Sequence, residues 1–76
     1  MSRMPAVTGR QLIGALKRLG FEEIRIRGSH HYLRHRDGRS TVIPIHRGES
    51  IGRGLLAKIL RDVDLSREKL EAHLHR

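Results

Sequence analysis

The sequence predicts an α+β fold in which helices cover one face of a three-stranded antiparallel sheet, in the order helix, three strands, helix, with an extra helix near the C-terminal end. Three observations lead to it. Apolar residues recur at helical spacing near the start and again in the second half, and between these stretches the period falls to two. The period-two stretches are separated by Gly28-Ser29 and Asp37-Gly38, dipeptides that reverse a chain in little space.

The first helix spans roughly residues 9 to 19. Thr8 and Gln11 have the spacing of a capping box, Leu12, Ile13, Leu16 and Leu19 follow at helical intervals, and Gly20 supplies a left-handed stop. Gly14, at the helix centre, costs about 1 kcal/mol against alanine and is expected to mark close packing on another element. From Phe21 a strand begins with Ile24 and Ile26 on one side and Glu23, Arg25 and Arg27 on the other. After the Gly28-Ser29 reversal a second strand runs from about His30 to Arg36, turns at Asp37-Gly38 as a two-residue hairpin, and returns as a β-branched third strand from Ser40 to Ile45, ended by Pro44. His46 to Glu49 form a loop. Ile51, Leu55 and Ile59 with Leu56, Leu60 and Val63 then define an apolar helical stripe, whose outer edge holds Lys58 and Arg61. Ser66 can cap a short last helix bearing Leu70 and Leu74. A single domain over residues 1–76 is expected, with residues 1–7 a flexible N-terminus. The layout matches the double-stranded RNA-binding type of fold.

The 76 residues hold 16 Lys or Arg against 8 Asp or Glu, a net charge of +8, and 13 of those cations are Arg. A planar guanidinium pairs with phosphate in two-pronged fashion, so a polyanion is the expected partner. With 37% hydrophobic residues and only Phe21 and Tyr32 as aromatics, the chain can close a thin aliphatic core but cannot enclose a large cofactor. No cofactor is expected. The absence of cysteine excludes disulfides and thiolate chemistry. No apolar run approaches the roughly 18 to 20 residues of a membrane span, and Met1-Ser2-Arg3-Met4-Pro5 lacks the apolar stretch of a signal peptide. A soluble, cytoplasmic protein without membrane contact is expected.

Between Ile24 and Arg36 stand four arginines and three histidines without one acidic residue. Strand alternation gives Arg25 and Arg27 a shared face, and likewise Arg34 and Arg36, so the sheet carries cationic rows suited to RNA phosphates. His30 and His31 are the sharpest feature, because imidazole takes and returns a proton near neutrality. RNA supplies its own nucleophile in the ribose 2′-hydroxyl, and one imidazole within hydrogen-bond reach can serve as general base. Neighbouring strand residues point to opposite faces, so only one of the pair can meet the RNA. A metal is not expected: His31 and His35 lie on one face but about 13 Å apart at about 3.3 Å per residue. His73 and His75 splay on the last helix and read as surface residues, and Asp62, Asp64, Glu68 and Glu71 as solvated charges.

Gly28-Ser29-His30-His31, Asp37-Gly38-Arg39, Val42-Ile43-Pro44-Ile45-His46, and Gly54-Leu55-Leu56 with Ile59-Leu60-Arg61 stand in this order over roughly Thr8 to Ser66. Together they resemble the HicA (YcfA-like) toxins of bacterial type II toxin–antitoxin systems. The resemblance implies a small interferase that cleaves messenger RNA, and a cognate HicB-like antitoxin that covers its active surface. The family's glycine and catalytic histidine fall on Gly28 and His30; in some relatives the functional histidine stands one position later, which is His31 here.

The expected function is therefore a metal-independent endoribonuclease toxin with His30 as general base, and with Gly28, Ser29, His31, Arg25, Arg27, Lys58 and Arg61 contacting RNA. Lys58 and Arg61 enter by charge alone, as RNA or antitoxin contacts. The rival from another class is a non-catalytic RNA-binding module using the same arginines.

Overall fold

The computed structural model describes residues 6–74. Its elements are α1 (Gly9–Arg18), β1 (Phe21–Arg27), β2 (His30–His35), β3 (Ser40–Pro44), α2 (Arg53–Val63) and α3 (Arg67–Leu74). The three strands form one antiparallel sheet in the order β1-β2-β3. The expected α+β architecture, resembling a double-stranded RNA-binding domain, is borne out, including the extra C-terminal helix.

α1 starts where the capping box places it. The Thr8 hydroxyl accepts from the Gln11 N–H at 3.1 Å and the Gln11 side chain accepts from the Thr8 N–H at 2.9 Å, so two otherwise unpaired donors are satisfied at once. At α3, Ser66 Oγ accepts from the Lys69 N–H at 3.0 Å. Leu12 and Leu16 of α1, Leu33 of β2, Ile43 of β3, Leu56, Ile59 and Val63 of α2 and Leu70 of α3 are all fully buried between the helices and one face of the sheet. That single layer of aliphatic side chains is the thin core expected of so short a chain.

Four local readings need correction. Ile51, placed on the α2 stripe, lies before the helix; it is buried there and its N–H donates to the Val7 carbonyl at 2.7 Å. Gly14 is not a close-packing point, since a Cβ there would meet only the Arg18 guanidinium, at 3.7 Å. Gly9 is: a Cβ on it would lie 2.6 Å from the Pro44 carbonyl oxygen, at the seam of α1 and β3. The β2–β3 connection is a three-residue turn, Arg36-Asp37-Gly38, rather than a two-residue one. Its geometry is closed by the His35 N–H donating to the Arg39 carbonyl at 2.8 Å and by Gly38 at φ +101°. Arg36 therefore sits in the turn and shares no strand face with Arg34.

Of residues 1–7, positions 1–5 lie outside the described residues, as does His75; Val7 is described and buried in the core. Among the described residues no helix is long and apolar enough to cross a membrane.

Candidate functional site

The pairing register sorts the sheet into rows. Leu33, Thr41 and Ile43 are buried against the helices, so their strand neighbours face the other way, onto an uncovered surface. On that open face Arg27, His30 and Pro44 stand side by side across the three strands; the next row is Arg25, Tyr32 and Val42; the third is Glu22, Arg34 and Ser40.

The row with His30 is set by the tightest reversal in the fold. Arg27 and His30 are paired directly, leaving only Gly28 and Ser29 to turn the chain. A two-residue turn that suits twisted strands needs positive φ at its first position, and Gly28 supplies φ +58° without the steric cost a Cβ brings. The Ser29 carbonyl accepts from the Ile45 N–H at 2.8 Å, which ties the turn to the chain leaving β3. His30 is thus an exposed imidazole beside an exposed guanidinium at one end of the β1–β2 hairpin.

A β-bulge interrupts β1 between Glu23 and Arg25. Glu23 pairs with Leu33 on the helix-covered side, whereas Arg25 pairs with Tyr32 on the open side, so the expected grouping of Glu23 with Arg25 and Arg27 is overturned: the extra residue resets the alternation. Ile24, the residue at the bulge, lines the open face with Tyr32 and Val42, and Ile26 pairs with His31 on the opposite side, so these two isoleucines do not share a face either. The bulge leaves Glu22 opposite Arg34 on the open face and turns Glu23 away from it. It delivers the latter acid beneath the sheet, where His31 Nδ1 hydrogen-bonds Glu23 Oε2 and Lys17 Nζ lies 3.6 Å from Glu23 Oε1. The His31 hydrogen bond first, and Lys17 after it, hold the Glu23 carboxyl below its ordinary range against the opposing effect of burial. His31 faces a hollow of about 240 Å³ lined by Arg10, Ile13, Gly14, Lys17, Glu23 and Ile45.

The two histidines therefore diverge, as strand geometry requires. His30 is exposed among cations, and among the described residues its ring has no hydrogen-bond partner; His31 is half-buried with a carboxylate on one nitrogen. Arg25 sits over the Tyr32 ring, 5.6 Å from its centroid. Lys58 reaches the edge of the open face from α2 but is engaged: its Nζ donates to Asp62 Oδ2 at 2.9 Å, and Thr41 Oγ1 donates to the same oxygen at 3.0 Å. These bonds, Lys58 foremost, hold the Asp62 carboxyl below its ordinary range. Arg61, three residues on, is exposed and does not line this surface. The structure thus brings His30, Arg25, Arg27 and Gly28 to one face, leaves Lys58 at its margin, and sets His31 and Arg61 elsewhere.

Sequence reasoning missed Glu23 as the partner of His31 and Arg39 as a clamp. Arg39 bonds both Asp37 oxygens and the Val63 carbonyl, and lies 5.1 Å from the Phe21 ring centroid, so it pins the β2–β3 turn to the end of α2.

Residues 9–65, well over half of the chain, match the family described as HicA toxin of bacterial toxin-antitoxin. No curated protein matches the chain.

Proposed function

The chain belongs to the HicA toxin family, a toxin of a toxin–antitoxin system with a cognate antitoxin as its partner, and from that premise we propose that it is an endoribonuclease acting on messenger RNA in the cytoplasm through His30. The observation that carries the reading is the row Arg27 and His30: an exposed imidazole and an exposed guanidinium, directly paired across the tightest turn of the fold, on a sheet face that no helix among the described residues covers.

The chemistry follows from what these groups can hold and move. A neutral His30 ring nitrogen accepts the proton of a ribose 2′-hydroxyl, and the resulting oxygen attacks the adjacent phosphorus. Negative charge grows on the non-bridging phosphate oxygens, where the Arg27 guanidinium, already in place, offers paired N–H donors. The bond to the 5′-oxygen breaks, that oxygen takes up a proton, and the products are a 2′,3′-cyclic phosphate and a 5′-hydroxyl. General-base assistance of this kind is worth about 10²- to 10⁴-fold in rate. Arg25 and Arg34, one and two rows further along, extend the cationic surface that holds the strand. The reaction as written draws on no metal. The partner implied by the family is a HicB-like antitoxin, and by mass action its binding over this face would silence the toxin.

The test is degradation of RNA by the purified protein in EDTA with the product ends mapped. The reading predicts cyclic phosphate and 5′-hydroxyl ends, a loss of about 10²-fold or more in His30→Ala, and near-parent activity in His31→Ala. Undiminished cutting by His30→Ala would overturn it. RNA binding without any cleavage by the parent would instead establish the non-catalytic module.

A further inference from the structure

The open face carries apolar side chains at its middle where the fold has no use for them. Ile24, the unpaired bulge residue, is 56% exposed and Val42 36%, and with the half-buried Tyr32 ring, which pairs with Val42, they form an apolar strip beside Arg25. Ile24 and Val42 gain little from folding in that position, since apolar area left in water contributes no burial. The strip floors a hollow of about 470 Å³, within the usual range for small-ligand sites. Its rim holds Arg34 and, at the α2 side, Lys58 paired with Asp62, while the Arg25 guanidinium lies over the Tyr32 ring beside it.

We propose that Ile24, Tyr32 and Val42 form a stacking subsite for one nucleobase of the RNA, adjacent to the nucleotide whose 2′-hydroxyl meets His30. This rests on the RNA-cleaving reading above and adds the group that positions the strand. His30 and Tyr32 are two residues apart on β2, about 6.6 Å at about 3.3 Å per residue, and share a face, so a strand with its ribose at His30 has a neighbouring base within reach of the ring. A base has two apolar faces and a charged backbone. An aromatic ring beside two aliphatic side chains, bordered by guanidinium groups, meets both needs, and the Arg25 plane can itself stack on a base. A protein ligand for the same strip would be expected to present acidic groups to Arg25 and Arg34; it is the alternative the test must separate.

The probe is a short single-stranded oligoribonucleotide with 2-aminopurine at its centre and a 2′-O-methyl group on every sugar, so that no bond in it is cut. The parent is expected to quench the fluorophore on binding. Tyr32→Phe should bind and quench like the parent, whereas Tyr32→Leu should bind about tenfold more weakly and quench less. Val42→Thr, a β-branched change at an exposed site, should weaken binding in the same direction with the fold intact by circular dichroism. With a cleavable RNA, kcat/KM of Tyr32→Leu should fall by the same factor. Parent-like binding and quenching by Tyr32→Leu would overturn the subsite, and so would a Tyr32→Leu variant that handles RNA normally but escapes neutralisation by the antitoxin, which would make the strip a protein-docking surface. A parent that quenches the probe yet cuts no RNA would sustain the subsite and sink the nuclease reading.

Discussion

If the open face is where RNA lies, its salt dependence is set by the cations on that face. Arg25, Arg27 and Arg34 are exposed there, while Lys58 is held by Asp62. Each phosphate neutralised on a single strand contributes about −0.7 to the slope of log affinity against log salt, so three contacts give about −2.1. From 50 to 200 mM salt, a fourfold rise, affinity should then fall by about 18-fold. Arg27→Ala leaves two contacts, a slope of about −1.4 and a loss of about 7-fold over the same interval. Arg10→Ala removes an exposed cation beside the His31 hollow under the sheet and should leave the slope alone. Fluorescence anisotropy of a labelled, uncleavable oligoribonucleotide at four salt concentrations measures all three slopes. An unchanged slope in Arg27→Ala, or an equal flattening in Arg10→Ala, would refute the placement of RNA on the open face.

Two glycines of α1 should respond in opposite directions to alanine. Gly9→Ala sets a Cβ 2.6 Å from a backbone carbonyl and forces the α1–β3 seam apart, which should cost about 1 to 3 kcal/mol, or about 4 to 8 °C of melting temperature per kcal/mol for a domain of this size. Gly14→Ala meets nothing closer than 3.7 Å and should gain about 1 kcal/mol from helix propensity; thermal melts of the two variants check both signs. Asp37 supplies a pH dependence: hydrogen bonds from Arg39 hold its carboxyl down at about 2. A depressed folded-state pKa stabilises above the unfolded value, about 3.9, and that contribution is lost as pH falls towards 2. The difference in urea midpoint between the parent and Asp37→Asn should therefore be present at pH 7 and shrink between pH 4 and pH 2; a difference that grows on acidification would contradict it.

The order of elements was legible because each carries its own local chemistry: the Thr8 and Gln11 cap, the period of two after Phe21, the Gly28-Ser29 reversal, and the α2 stripe. What the residues did not disclose was the bulge. A two-residue turn that pairs Arg27 with His30 would, continued without interruption, set Glu23 opposite Arg34 as a surface ion pair; the extra residue at Ile24 puts Glu22 there instead and sends Glu23 to His31. A bulge arises from how the strand must bend over the helices, a tertiary demand with no local motif when the bulged residue is not glycine. The same blindness placed Ile24 and Ile26 on one face. Gly14 and Gly9 were likewise indistinguishable as letters, because close approach is a property of the neighbour, here the Pro44 carbonyl, and not of the glycine. Alternation did predict correctly that His30 and His31 part company; which of them stands among exposed arginines required the register.

In the proposed reaction His30 turns the RNA's own 2′-hydroxyl against the adjoining phosphate. The decisive measurement is cleavage of two otherwise identical oligoribonucleotides, one with a single 2′-deoxy sugar on the 5′ side of the scissile phosphate. Scission at that bond should disappear in the substituted strand while cuts elsewhere continue; scission persisting at the 2′-deoxy position would rule out attack by the 2′-hydroxyl.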